Sequence, residues 1–225
     1  STQPLLALRL LEQMAHGLPE AAGAHSSEGV APFLDLAGRA GAVVLGPGLG
    51  RSDSAVAFAR QVATAVEVPL LIDADGLNAH AGALEALRDR AAPTLLTPHA
   101  GELGRLLGRA SAEIDAHRLA SAREAADRSG AVVLLKGDDT IVAAPGGPVA
   151  VSPGATPALA TAGTGDVLSG LIGALLAKGM GPFAAAALGA LAHARAGRAA
   201  AARHGADHVI AGDVIDTLPD GLRAR

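Results

Sequence analysis

Short apolar runs alternate along the chain with longer stretches in which apolar residues return at helical spacing. Residues 42–45, 70–72, 94–96 and 132–135 are runs of strand length, and each ends in a cluster of Gly, Pro or polar residues. Residues 54–66, 82–90 and 112–129 have the length and period of helices. The alternation predicts an α/β fold with a mainly parallel sheet, flanked by helices on both faces and joined by right-handed crossovers. Residues 140–144 and 149–151 differ, because they flank the turn Pro145-Gly146-Gly147-Pro148. They predict an antiparallel hairpin at one edge of the sheet. Two Ala-rich helices follow, over 167–178 and 182–204. In the first, Val167, Leu168, Leu171, Ile172, Leu175 and Leu176 form one stripe, with Ser169, Gly170, Gly173, Ala174 and Ala177 on the other side. Interior glycines cost a helix ~1 kcal/mol each relative to Ala. Their presence predicts a close neighbour and a helix buried all round.

Composition narrows the function classes. The chain has 225 residues, half of them apolar, with no linker, which predicts one domain spanning residues 1–225. Net charge is −4 without a basic stripe, and three Phe with no Tyr or Trp offer no stacking platform, so no nucleic-acid partner is expected. The absence of Cys excludes disulfides and thiol catalysis. Lys178-Gly179-Met180-Gly181-Pro182 interrupts the most apolar region, so no membrane span is predicted. The chain opens at Ser1 rather than Met and shows no signal peptide, from which a processed or trimmed, soluble, cytoplasmic protein is expected. No H-E-x-x-H metal motif and no G-x-S-x-G hydrolase elbow occurs.

The chemistry concentrates at strand ends. Thr161-Ala162-Gly163-Thr164-Gly165-Asp166 runs directly into a helix. Backbone N–H groups freed by the two glycines would meet an anion at the helix N-terminus, with φ > 0 expected at Gly165. Asp166 would then either cap the helix or take a proton from a bound hydroxyl. Gly46-Pro47-Gly48-Leu49-Gly50 is either a tight turn or a close approach to a ligand. Asp73 and Asp75 alternate at a strand end, so one is expected to cap the next helix and the other to face the site. His99 and Glu102 follow Pro98 at a helix start, where Glu102 could serve as the third-residue partner of a capping box. Lys136-Gly137 is either a phosphate contact or a surface lysine.

Taken together, these motifs resemble the NAD(P)H-hydrate dehydratases of the ribokinase-like superfamily. The matching segments are V-V-L-G-P-G-L-G at 43–50, L-I-D-A-D-G-L-N at 71–78, L-T-P-H-A-G-E-L at 96–103, L-L-K-G-D-D-T at 134–140 and A-T-A-G-T-G-D-V-L-S-G at 160–170. The resemblance implies a ribokinase-like fold and repair of the hydrates NADHX and NADPHX with ADP or ATP and Mg²⁺. It implies that Asp166 takes the proton of the C6 hydroxyl as that oxygen attacks the terminal phosphoryl group, after which phosphate is eliminated. Lys136, Gly137, Asp138, Asp139 and Thr140, with Thr156, Ala162, Gly163, Thr164 and Gly165, match nucleotide-contacting positions. Gly48, Gly50, Asp73 and the segment from His99 to Arg105 match the side of the hydrated cofactor, and Glu102 matches an acidic residue that organises Mg²⁺. Two departures stand out. Nothing before Gly41 resembles the family's N-terminal strand–helix unit, and Thr156 stands where the family often has Asn. The expected partners are NAD(P)HX, an epimerase either fused or separate, and further copies in a homo-oligomer. The competing readings are a kinase of a vitamin-precursor alcohol and a non-catalytic nucleotide-binding remnant.

Overall fold

A computed structural model describes residues 3–10, 12–152, 154 and 156–223; Ser1, on which the reading of a processed start rests, lies outside them. The chain begins with helix α1 (Gln3–Arg9), the short antiparallel pair β1 (Glu20–Ala21) and β2 (Ala24–His25), and α2 (Val30–Ala37). The main elements follow: β3 (Val43–Leu45), α3 (Asp53–Ala65), β4 (Leu70–Ile72), α4 (Ala74–Ala79), β5 (Thr94–Leu96), α5 (Ala100–Leu107), α6 (Ser111–Ala116), α7 (Arg118–Ser129) and β6 (Val132–Leu135). The hairpin β7 (Thr140–Ala143) and β8 (Val149–Ser152) precedes α8 (Thr164–Ala177), α9 (Pro182–His204) and α10 (Ala211–Leu222).

Six strands form one sheet in the order β3-β4-β5-β6-β7-β8, parallel from β3 to β6 and antiparallel at the hairpin, as the periodicity predicts. Alternate strand residues point to opposite faces. Leu70, Ile72, Leu96, Val133 and Leu135 pack with Phe58 and Val62 of α3, Leu103 of α5 and Ala125 of α7. Leu71, Leu95, Val132 and Leu134 pack with Leu168 and Ile172 of α8 and Ala186 and Ala190 of α9. The two buried faces explain why β4 and β6 are apolar at every position.

Asp73 caps the next helix as expected, accepting a hydrogen bond from the Ala74 N–H at 2.9 Å at the start of α4. Four local expectations are corrected. Only a single 3₁₀ turn at Leu84–Leu87 forms where residues 82–90 were expected to be helical. The 112–129 helix is two helices, because His117 leaves helical geometry at φ −133° and ψ 42°. Helix α8 starts at Thr164, so the glycine turn is itself its first turn. Nor is α8 buried all round, since Gly170, Ala174 and Ala177 are exposed. Its small face does meet a close neighbour at Gly173, where any Cβ would strike the side chain of Val44 on β3.

Candidate active site

The carboxyl ends of the parallel strands carry a connected polar network. Asp73, which follows β4, is 1% exposed, and each of its oxygens has a partner: Oδ1 accepts from Lys136 Nζ at 2.8 Å and Oδ2 from Ser169 Oγ at 2.6 Å. A buried carboxylate is tolerable only when paired and hydrogen-bonded in this way. Lys136, just beyond β6, also lies 3.7 Å from Glu102 Oε2. That oxygen accepts from the His99 N–H at 2.9 Å, while His99 Nδ1 accepts from the N–H groups of Gly101 at 3.0 Å and Glu102 at 3.4 Å. The pair is a capping box at the start of α5. Because Nδ1 is an acceptor, the proton of the neutral ring sits on Nε2. Lys136 is therefore a tethered cation rather than a free surface lysine. Its ammonium nitrogen lies 3.8 Å from where a Cβ on Gly165 would stand, at the mouth of the glycine turn.

A cavity of about 630 Å³ opens beside this turn. Of the residues assigned to the nucleotide, Lys136, Gly137, Asp138, Thr140, Thr156, Thr164 and Gly165 line it, and His99 joins them from the side assigned to the substrate. Asp139, Ala162 and Gly163 are not in its walls. The left-handed residue of the turn is Gly163, at φ 89°, and Gly165 needs no such conformation. The Thr164 hydroxyl locks the turn by donating to the carbonyls of Leu159 at 2.7 Å and Thr161 at 2.8 Å. Thr156 caps the 3₁₀ turn Pro157–Leu159, accepting from the Ala158 N–H at 3.4 Å. Arg118 fixes the β6–β7 turn, its Nη2 donating to the carbonyls of Lys136 at 3.2 Å and Asp139 at 3.0 Å.

Asp166 stands in the first turn of α8, exposed, and among the described residues it makes no hydrogen bond and no ion pair. Capping, one of its two expected roles, is not what it does. On the far side, Gly48 and Gly50 hold φ 70° and 84°, and the Gly50 N–H donates to Asp75 Oδ2 at 3.1 Å. Asp73 and Asp75 thus face different sites, the first Lys136 and the second the glycine loop after β3. The hydrogen bond from Arg51 holds the Asp75 carboxyl below its ordinary range. For a metal, Glu102 offers a carboxylate already engaged by His99 and Lys136, and no group of three metal-binding side chains occurs among the described residues.

Three contributors carried no sequence signal. Ser169 looked like one small residue of a helix face. Arg118 lies 18 residues before the turn it holds. His193, on the Ala-rich α9, lines the cavity at 7% exposure, and its Nε2 is buried without a hydrogen-bond partner. Burial pushes its pKa down to about 4, against an opposing hydrogen bond to the Thr164 backbone.

The family model described as NAD(P)H-hydrate dehydratase matches residues 3–220. The chain belongs to the NAD(P)H-hydrate dehydratase family. It is 42% identical over 151 residues to a bifunctional NAD(P)H-hydrate repair enzyme of Moorella thermoacetica, covering 67% of this chain and 28% of that protein. The corresponding enzyme of Mycobacterium tuberculosis is 50% identical over 127 residues, covering 56% of this chain and 26% of that protein. These matches span about a quarter of the length of those relatives. Among solved structures, the ADP/ATP-dependent NAD(P)H-hydrate dehydratase of Bacillus subtilis, co-crystallised with ATP and Mg²⁺, superposes with a TM-score of 0.67 at 28% identity, over 86% of this chain and 70% of that one. A hydroxyethylthiazole kinase of Pyrococcus horikoshii shares the fold at 20% identity and a TM-score of 0.65. The fold is thus that of the ribokinase-like dehydratases.

Proposed function

We propose that this chain carries the nucleotide-dependent dehydration of NADHX and NADPHX, as one ribokinase-like domain over residues 1–225. The observation that supports it most is the exposed carboxylate of Asp166, without a partner among the described residues and next in sequence to Gly165, whose Cβ position lies 3.8 Å from the tethered Lys136 ammonium. A nucleotide fits the chemistry present. The cavity is large enough for a nucleoside diphosphate, its phosphates would meet the N–H groups of Thr164 and Gly165, and Lys136 adds a cation at the same turn. When bound, ADP or ATP supplies the terminal phosphoryl group that turns the ring hydroxyl into a leaving group.

Asp166 takes the proton from that hydroxyl, free to do so because no donor among the described residues occupies its oxygens. The backbone N–H groups at the start of α8 stabilise negative charge developing on the phosphoryl oxygens. Ser169 and Asp73 fix the Lys136 ammonium, so its charge is in place before the reaction begins. Glu102, the carboxylate assigned to Mg²⁺, would hold the ion with the phosphates and water, and the ion would offset phosphate charge. Gly48, Gly50 and the Asp75 loop take the dinucleotide. An epimerase acting on the same hydrates, fused or separate, is the fitting partner, and the protein works in the cytoplasm as a homo-oligomer.

A kinase of a small alcohol would use the same base and the same turn, and the shared fold favours neither. Release of inorganic phosphate separates them. With NADHX and ADP, the dehydratase yields phosphate and NADH in equal amounts and no lasting phosphorylated product. Accumulation of a phosphorylated alcohol would overturn the reading.

A further inference from the structure

Beside the glycine loop after β3 lies a second polar node, built on Asp75, that takes no part in the proton transfer. Asp75, in the first turn of α4, accepts from Arg51 Nε at 2.8 Å through Oδ1, from the Gly50 N–H through Oδ2, and from Asn78 Nδ2 at 3.3 Å. Asn78 in turn accepts from Arg105 Nε at 2.7 Å. The two arginines come from different elements, the loop after β3 and helix α5, yet one carboxylate–amide pair holds both. Each is held through its Nε, and among the described residues no Nη atom of either has a protein partner. Both side chains are exposed. Two guanidinium groups against one carboxylate leave a local excess of positive charge in a protein whose net charge is −4.

Fork-shaped donors whose outer edges are free, and whose inner edges are fixed, suit the oxygens of a phosphate. The node stands beyond the carboxyl ends of β3, β4 and β5, where ligands of open parallel sheets bind. It is also separate from the cavity beside Lys136, none of whose walls it supplies. We infer that Arg51 and Arg105, set in place by Asp75 and Asn78, form the site that recognises a phosphate of the dinucleotide substrate. This rests on the dehydratase reading for the identity of the ligand. The phosphate is either the pyrophosphate common to both hydrates or the 2′-phosphate that only the NADP form carries. Asp75, kept ionised by its donors, and neutral Asn78 are positioning residues; they hold the arginines without neutralising both.

The test is fluorescence titration of the purified full chain with NADH and with NADPH, followed by KM and kcat for the two hydrates. Arg51→Ala and Arg105→Ala should each weaken dinucleotide binding about tenfold or more, since charge-assisted hydrogen bonds are being removed. A loss common to NADH and NADPH places the pyrophosphate at the node, and a loss confined to NADPH places the 2′-phosphate there. Asn78→Leu, which unhooks Arg105 but keeps its charge, should weaken binding less than Arg105→Ala and raise KM with kcat unchanged. ADP affinity and melting temperature should stay within error of the unsubstituted protein in all three. Arginine variants that bind both dinucleotides normally overturn the inference, and so does an equal loss of ADP affinity, which would indicate a general disturbance. Wild-type protein that binds NADPH through the node but does not dehydrate NADHX would overturn the dehydratase reading alone; protein that binds neither dinucleotide overturns both.

Discussion

Asp166 and His193 show how differently two titratable groups can be placed around one cavity. Asp166 is exposed and unpartnered, so Asp166→Asn should leave the fold and ADP affinity within a few-fold while turnover falls about 10²–10⁴-fold. Steady-state kinetics alongside calorimetry with ADP would show this; near-normal turnover would remove Asp166 from the mechanism. His193 is buried and kept neutral, with a pKa pushed down to about 4 from an ordinary 6.5. Above pH 6.5 the ring is neutral in both folded and unfolded chains, and its contribution is constant. As pH falls from 6.5 to 4 the unfolded chain binds a proton that the native state refuses, and stability drops by about 3 kcal/mol. Denaturant unfolding across that window should therefore show a loss that His193→Leu largely abolishes. Ser169, invisible in the sequence as anything but a small helix residue, became informative only when the fold brought it to Asp73, 96 positions away.

At the scale of elements, the strands, the hairpin and the glycine turn were legible because each depends on local order: apolar runs, a Pro/Gly turn, glycines before a helix. The break at His117 and the early start of α4 were not. The turn also reassigns a conformational requirement. Gly163 holds φ 89°, whereas a Cβ on Gly165 would meet only the Lys136 ammonium at an ordinary 3.8 Å. Gly163→Val should cost about 1–3 kcal/mol by forcing a β-branched residue into left-handed backbone. It should also loosen ADP by moving the N–H groups. Gly165→Ala should fold with near-normal stability and lose ADP affinity only through crowding at the phosphate. Thermal melts and ADP titrations of the pair would test this, and equal stabilities would contradict it. For the candidate site, sequence order exposed the parts that sit in motifs, Lys136, Gly165 and Asp166 among them. Arg118 and His193 lie on ordinary helices, so only tertiary structure reveals them.

For the whole molecule, two polar regions stand beyond the carboxyl ends of the parallel strands: the cavity beside Lys136 and the turn at α8, and the arginine-bearing rim beyond β3 and β4. ADP with Mg²⁺ should raise the melting temperature, by linkage worth about 2.7 kcal/mol at 100 times Kd, and NADPH should add a further shift. A protein without Trp or Tyr contributes almost nothing near 280 nm, so bound adenine nucleotide would be read directly against it. The central claim is that this chain carries out dehydration, and it is tested most directly by mixing the purified protein with NADHX, ADP and Mg²⁺ and following the dihydronicotinamide absorbance band. The account predicts a rise that requires ADP and disappears in Asp166→Asn. A flat trace with protein that demonstrably binds ADP and NADPH would contradict it.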